Sequence, residues 1–307
     1  MEIGARLARQ APVPGEPGPG KQERTSSGSH GANIPTRAHF RHVLPGPVQG
    51  LSLGMFAADG GSRAENMPMH PPAASPYDAI AELYDPWSAS VTEDVGFYLE
   101  EARRSGGPVL ELGVGTGRIA VPLAAGGIRV IGIDSSRGML DVCARRAALA
   151  GVGLDLRVGD LRDPPVRERV PLVICPFRSY LHLHTDDERR RALAAARRLL
   201  VPGGRLVFDV FAPAPDDVEE THARWLEREP GIWERAVWDT ELRTLTLTVR
   251  GPTGEATMAL AWLGPEEWRA LLVETGFEVA ACYGWFDRSP YAGGEDSVWI
   301  ARRAEAS

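Results

Sequence analysis

The chain has 307 residues, 43% of them hydrophobic, and carries 41 acidic against 34 basic side chains, which is apolar material enough for one large domain or two small ones. No apolar run approaches the roughly 18 residues of a membrane-spanning helix, and the first twenty residues lack the apolar stretch of a secretory signal, so a cytoplasmic protein without a membrane partner is expected. Residues 1–70 hold 7 basic and 5 acidic side chains, leaving 27 and 36 to the remainder, a negative surplus that disfavours nucleic acid as a partner.

Residues 1–72 mix PVPGEPGPG, SSGSHG and LPGPVQG and show neither helical nor strand periodicity. Such a composition cannot offset its ordering entropy, and a disordered leader is expected there. A natural start at Met55, Met67 or Met69 is the alternative. Residues 73–307 form the expected folded domain. Within SPYDAIAELYDPW, Tyr77, Ile80, Ala81 and Tyr84 fall at helical spacings and place both tyrosines on one face.

From Pro108 apolar runs alternate with helical patterns, which predicts an α/β fold with a mostly parallel, doubly wound sheet of seven strands. The predicted strands are 109–112, 130–133, 154–158, 172–175, 206–211, 277–283 and 298–301. Thr185 to Glu188 reads as a capping box opening a helix. Pro202-Gly203-Gly204 reads as a turn into the fifth strand, and Pro265 and Gly276 bracket a further helix. Within 212–263 the pattern changes: 231–238, 241–250 and 256–263 are β-prone, predicting an antiparallel insertion on the substrate side after strand five. Its Trp233, Trp238 and Trp262 either pack between layers or form a lid.

Cys143, Cys175 and Cys282 are far apart and odd in number, so reduced, buried thiols are expected, with neither disulfides nor a metal site.

The chemistry concentrates after the first strand. Gly113, Gly115 and Gly117 alternate in the loop where a doubly wound sheet binds ligands, and glycine there permits close approach of a ligand to the backbone. The following helix, around 118–123, favours an anionic group at its start. Asp134 ends the second strand, where its carboxylate could accept from both hydroxyls of a ribose. Together these point to an adenosine-containing ligand.

The loop CPFRSYLHLHT after strand four is the candidate acceptor wall. Its His182 or His184 could serve as a base near neutral pH, and Arg178 could grip a carboxylate or phosphate. Two positions apart, the histidines would face opposite ways in an extended segment, and His182 is the one expected to face substrate.

The ordered set ELGVGTG, IGIDSSRGML, VGDLRD and LLVPGGRLVFDVF resembles the class I S-adenosylmethionine-dependent methyltransferases over about 77–303. YDAIAELYDPW and the ending WLGPEEWRALLVETGFEVAACYGWFDRSPY look like the bacterial small-molecule members with a short N-terminal helix and a β insertion. The resemblance implies a Rossmann-like fold, S-adenosyl-L-methionine as cofactor, and methyl transfer to an oxygen or nitrogen of a small molecule. It also implies roles for individual residues. Gly113, Gly115 and Gly117 would hold the methionine part of the cofactor through free amides, and Glu111 would orient its amino group. Asp134 would bind the ribose with Ser135 near it, and Asp160 and Leu161 would meet the adenine. Tyr77 and Tyr84, on the short N-terminal helix, would close over the cofactor, with Tyr84 reaching its carboxylate or the substrate. The rival readings are an NAD(P)-dependent oxidoreductase, opposed by the glycine spacing, and a catalytically silent cofactor-binding module.

Overall fold

In the computed structural model, residues 75–304 are described; the expected leader lies outside them. A 3-10 turn, Pro76–Ile80, runs into helix α1, Ala81–Trp87, and α2 follows over Glu93–Ser105. Ser75 and Asp78 cap the 3-10 turn reciprocally, and Pro76 enters with its φ already set. Acidic Glu93 and Asp94 open α2 and Gly106, at φ +77°, ends it. No helix among the described residues is long and apolar enough to cross a membrane.

The alternating portion gives β1 (Val109–Leu112), α3 (Ala120–Ala125), β2 (Val130–Asp134), α4 (Arg137–Leu149), β3 (Asp155–Val158), β4 (Val170–Cys175), α5 (Asp186–Leu199) and β5 (Leu200–Phe211). Next come α6 (Pro215–Thr221), β6 (Trp225–Glu229), β7 (Ile232–Asp239), β8 (Thr244–Gly251) and β9 (Gly254–Ala261). The chain closes with α7 (Pro265–Glu274), β10 (Phe277–Tyr283) and β11 (Asp296–Arg303).

The seven predicted strands form one sheet, ordered β10-β11-β5-β4-β1-β2-β3, with β11 antiparallel to both neighbours. Pairing on both edges extends β11 beyond its apolar centre, to eight residues. β1 to β3 build outward on one side and β4 and β5 on the other, so the strand order reverses between β1 and β4. That crevice is where a doubly wound sheet takes ligands. The Thr185–Glu188 capping box forms as read, with Thr185 Oγ1 accepting from the Glu188 amide at 3.2 Å.

Three local expectations are corrected. The turn at Pro202-Gly203-Gly204 lies inside β5, because Leu200 already pairs with Val170 and the four residues up to Arg205 bulge opposite Pro171. The helix expected around 118–123 starts at Ala120, since Arg118 is held outside it by Asp94, two guanidinium N–H groups donating to that carboxylate at 2.7 and 2.5 Å. The loop after β4 is not extended through His182, which ends the 3-10 turn Ser179–His182; the chain becomes extended only at Leu183.

The stretch after β5 forms a separate antiparallel sheet, β6-β7-β8-β9. β6 went unrecognised because three of the five residues in WLERE are charged and the segment does not alternate. The new sheet also reaches the N-terminal segment. Trp87 Nε1 donates to Glu234 of β7 at 2.9 Å, and Gly251 and Gly254 abut Leu83 and Ala79, where a Cβ would collide.

Candidate functional site

The glycine loop leaves β1 with its first two amides donating to Ile133 O, Gly113 at 2.8 Å and Val114 at 2.9 Å. Gly115 donates to Asp134 Oδ2 at 2.8 Å and Gly117 to Val114 O at 2.9 Å. All three glycine amides are therefore committed internally, which corrects the expectation that they are free donors. What they supply is space. Gly113 has φ +72°, and a Cβ there would lie 2.5 Å from Ser179 Oγ; Gly117 has φ +80°, and a Cβ would lie 2.5 Å from Cys143 Sγ.

Below the loop, Glu111 is almost fully buried and its Oε2 has no partner. Burial, against which the Arg118 charge works, pushes its carboxyl well above the usual range. A buried carboxyl oxygen without a donor in a native fold marks a place for a polar partner. Asp134 sits half-buried at the end of β2, its Oδ1 accepting from the Ser136 amide at 2.9 Å. Burial raises this carboxyl too, and each oxygen keeps a lone pair for a further donor.

These residues border a cavity of about 250 Å³, which Tyr77, Tyr84, Gly113, Gly115, Asp134 and Ser135 line on one side. Asp160 and Leu161 line the far end after β3. The Asp160 carboxylate is gripped by Arg162, whose Nε and Nη2 donate at 2.9 and 2.5 Å, and desolvation is outweighed there by this pairing, which lowers its pKa. Glu111 and Gly117 shape the loop from behind this lining. Sequence reasoning had not picked out Met139, Arg162, Phe177 or Ser179 as lining residues, although all lie within or beside the motifs it quoted.

The N-terminal segment is fastened over the cleft. Asp78 Oδ1 accepts from Ser136 Oγ at 2.6 Å and from the Gly138 amide at 2.9 Å. Asp85 accepts from Thr116 Oγ1 at 2.6 Å and from Arg146 at 2.8 Å. The Tyr77 and Tyr84 rings meet edge to face with centroids 6.0 Å apart. Burial raises both phenols, so both stay protonated.

A second cavity, about 180 Å³, adjoins the first and shares Tyr77, Phe177 and His182 with it. The Tyr77 hydroxyl and His182 Nε2 are 3.0 Å apart. Burial, with the nearby His184, lowers the His182 pKa to about 4, so the imidazole is neutral across the physiological range. His184 is exposed and its Nε2 lies 3.1 Å from Ala259 O, a tie to β9. Arg178 lines the second cavity, donating to Asp296 at 2.8 Å and lying over the Phe211 ring. Trp238 lines it as well, its Nε1 donating to Thr221 Oγ1 at 2.8 Å; Trp262 is buried behind Trp238, and Trp233 does not reach the cavity.

The wall between the cavities is strained. Phe177 and Arg178 both have positive φ, 54° and 64°, a conformation that non-glycine residues adopt only when their surroundings impose it. Asp209 of β5 does so, accepting from the Phe177 amide at 2.9 Å, the Arg178 amide at 3.2 Å and the Tyr98 hydroxyl at 2.6 Å. Sequence reasoning missed Asp209. Its signal was an acidic residue inside the apolar run LVFDVF, the pattern that had drawn attention to Glu111 in VLEL.

The chain is similar in sequence and fold to known methyltransferases. A family described as a methyltransferase domain matches residues 109–204. The uncharacterized methyltransferase GK2543 of Geobacillus kaustophilus is 32% identical over 183 residues, covering 52% of this chain and 81% of that protein. The cypemycin N-terminal methyltransferase of a Streptomyces species is 31% identical over 145 residues, covering 46% of this chain and 58% of that protein. Among solved structures, the CcbJ methyltransferase from Streptomyces caelestis is 27% identical with a TM-score of 0.65, covering 76% of this chain and 99% of that one. The aligned stretches span between 58% and 81% of the first five curated relatives' own lengths.

Proposed function

Because the chain belongs to the class I S-adenosylmethionine-dependent methyltransferases, we propose that it moves a methyl group from S-adenosyl-L-methionine to an oxygen or nitrogen nucleophile of a small molecule in the cytoplasm. The observation that carries this reading is the junction of the two cavities at Tyr77, Phe177 and His182: cofactor in one, acceptor in the other.

The residues fit the cofactor. The unpaired Glu111 oxygen suits its ammonium, the space above Gly113 its methionine part, Asp134 its ribose with Ser135 beside it, and Asp160 and Leu161 its adenine. Bound there, S-adenosylmethionine supplies an electrophilic methyl group on a sulfonium. The chain's own contribution is to align the acceptor and keep water out, an effect of about 7 to 11 kcal/mol when the geometry is held. Tyr77 and Tyr84 cover the cleft. A neutral His182, in hydrogen-bond contact with the Tyr77 hydroxyl through Nε2, orients that phenol at the junction where the acceptor's nucleophile meets the cofactor. Arg178, already paired with Asp296, completes the acceptor wall.

Calorimetric titration with S-adenosylmethionine and S-adenosylhomocysteine tests the cofactor assignment. Binding of both supports it, and a folded protein that binds neither refutes it. Methyl transfer to a panel of amines, phenols and carboxylates separates an enzyme from a silent binding module.

His182→Ala is expected to lower turnover about a hundredfold, the cost of losing the orientation of the reacting groups, with S-adenosylhomocysteine affinity changed by no more than about threefold. Since His182 is neutral above about pH 4, the wild-type profile between pH 6 and 8 should carry no inflection that His182→Ala removes. Such an inflection would show that this residue titrates in turnover and end the orienting role.

A further inference from the structure

The second cavity has a charge that the reading above leaves unexplained. Six carboxylates line it, from Asp94, Asp209, Asp217, Glu234, Glu295 and Asp296, against two guanidinium groups, Arg178 and Arg228. Pairing accounts for half of them. Asp296 is bound to Arg178 at 2.8 Å, Glu234 faces Arg228 at 3.8 Å, and Asp94 is held by Arg118 behind the wall. Asp209 and Glu295 hold backbone amides and form no salt bridge among the described residues: Glu295 accepts from the Ala214 amide at 3.0 Å, and Asp209 from the Phe177 and Arg178 amides.

Asp217 differs from all the others. It stands on α6, half-buried, and among the described residues its carboxylate has neither a hydrogen-bond donor nor an ion partner. Burial raises its pKa, and its electrostatic neighbours Glu220, Asp216 and Asp296, all negative, raise it further. A carboxylate set among like charges at the edge of a cavity, with no counter-charge of its own, is stabilised by a cation that enters the cavity. The remaining walls suit the rest of such a molecule. Trp87, Trp238 and Trp285 present rings, whose faces attract cations, and Leu245 and Leu247 are apolar.

The geometry points to an acceptor that carries a protonated amine on an apolar body, with Asp217 holding the ammonium. This rests on the reading of the second cavity as the acceptor site and adds the acceptor's chemical class. Surplus negative charge in an enclosed site also selects against carboxylate and phosphate acceptors, which would meet unpaired like charge.

The test uses the full chain saturated with S-adenosylhomocysteine, titrated with two matched pairs of probes: tryptamine against tryptophol, and tyramine against tyrosol. Each pair keeps the aromatic body and exchanges an ammonium for a hydroxyl. At least one amine is expected to bind about tenfold or more tightly than its alcohol, as one charge-assisted hydrogen bond provides. Asp217→Asn should abolish that preference while leaving the alcohol and S-adenosylhomocysteine affinities unchanged. Asp216→Asn, an equal loss of charge on the exposed side of the same helix, should preserve the preference and controls for α6 folding. The inference is overturned if alcohols bind as tightly as amines, if neither amine binds, or if the preference survives Asp217→Asn. Failure of S-adenosylhomocysteine itself to bind would instead overturn the cofactor assignment, so the two outcomes are distinct.

Discussion

Replacing Asp134 with alanine should raise the dissociation constant for S-adenosylhomocysteine about a hundredfold or more, read by calorimetric titration. The magnitude follows from two hydrogen bonds to a charged acceptor at about 1.5 to 3 kcal/mol each. The same carboxylate also holds the glycine loop, through the Gly115 amide, and the start of α4, through the Ser136 amide. Asp134→Asn therefore discriminates between two contributions. Its carbonyl oxygen can keep one of these amides but its NH₂ cannot accept, so the loop is partly preserved while ribose recognition is halved. Affinity intermediate between wild type and Asp134→Ala is the expected result. Unchanged affinity in both variants would remove Asp134 from the cofactor site. The site is half-buried, so water can take over the freed amides and the domain should still unfold cooperatively.

Asp209→Ala should have the largest effect on the acceptor side. It deletes the acceptor for two amides in positive-φ residues and for the buried Tyr98 hydroxyl. Leaving such donors unsatisfied costs about 3 kcal/mol, measurable by denaturant unfolding. Released from Asp209, Phe177 and Arg178 are free to leave the left-handed region, and the wall between the cavities goes with them. Turnover should fall further than S-adenosylhomocysteine affinity, because the glycine loop and Asp134 do not depend on Asp209.

The titration of Asp209 supplies a separate test. Burial, aided by the Asp94 charge and opposed by Tyr98, Arg178 and the Phe177 amide, raises its pKa from 3.8 to about 6. The folded protein thus binds this proton more tightly than the unfolded chain. The resulting stabilisation is complete below pH 3.8 and is lost as the pH rises through 6, amounting to about 3 kcal/mol across the window. Asp209→Asn removes that dependence. The stability of the variant relative to wild type should therefore rise between pH 4 and pH 7, and a flat difference would show that Asp209 is not raised in the fold.

The strand positions and the glycine loop were legible in the sequence because both depend on local pattern. Short apolar runs mark β1, β2, β4 and the second half of β5, and alternate glycines between an apolar strand and a polar turn require close approach whatever surrounds them. Glu111 stood out because a lone carboxylate in an apolar strand is costly without a partner. The same logic applied to Asp209 in LVFDVF, but its partners are backbone amides of the loop after β4, more than thirty residues away in the chain, and nothing in that loop's composition announces positive φ at Phe177 and Arg178.

Cys143 and Cys175 are buried free thiols as expected, while Cys282 is only half-buried. For the histidines, spacing alone could separate His182 from His184 only by assuming an extended chain. Packing decided their surroundings, enclosing His182 beside Tyr77 and leaving His184 on the surface against β9.

Local periodicity and glycine spacing in the sequence by itself determined the strands and the glycine loop, since each depends on neighbours a few residues apart, and the ordered motifs carried the resemblance that implies the cofactor. Only the tertiary structure decided the second cavity, because its charge arises where α2, the loop after β4, β5, α6, β7 and the start of β11 converge. In the sequence Asp217 is one acid among several in PAPDDVEE. Folding leaves it without a counter-charge at the edge of a cavity rich in carboxylates, and electrostatic energy depends on that arrangement in space.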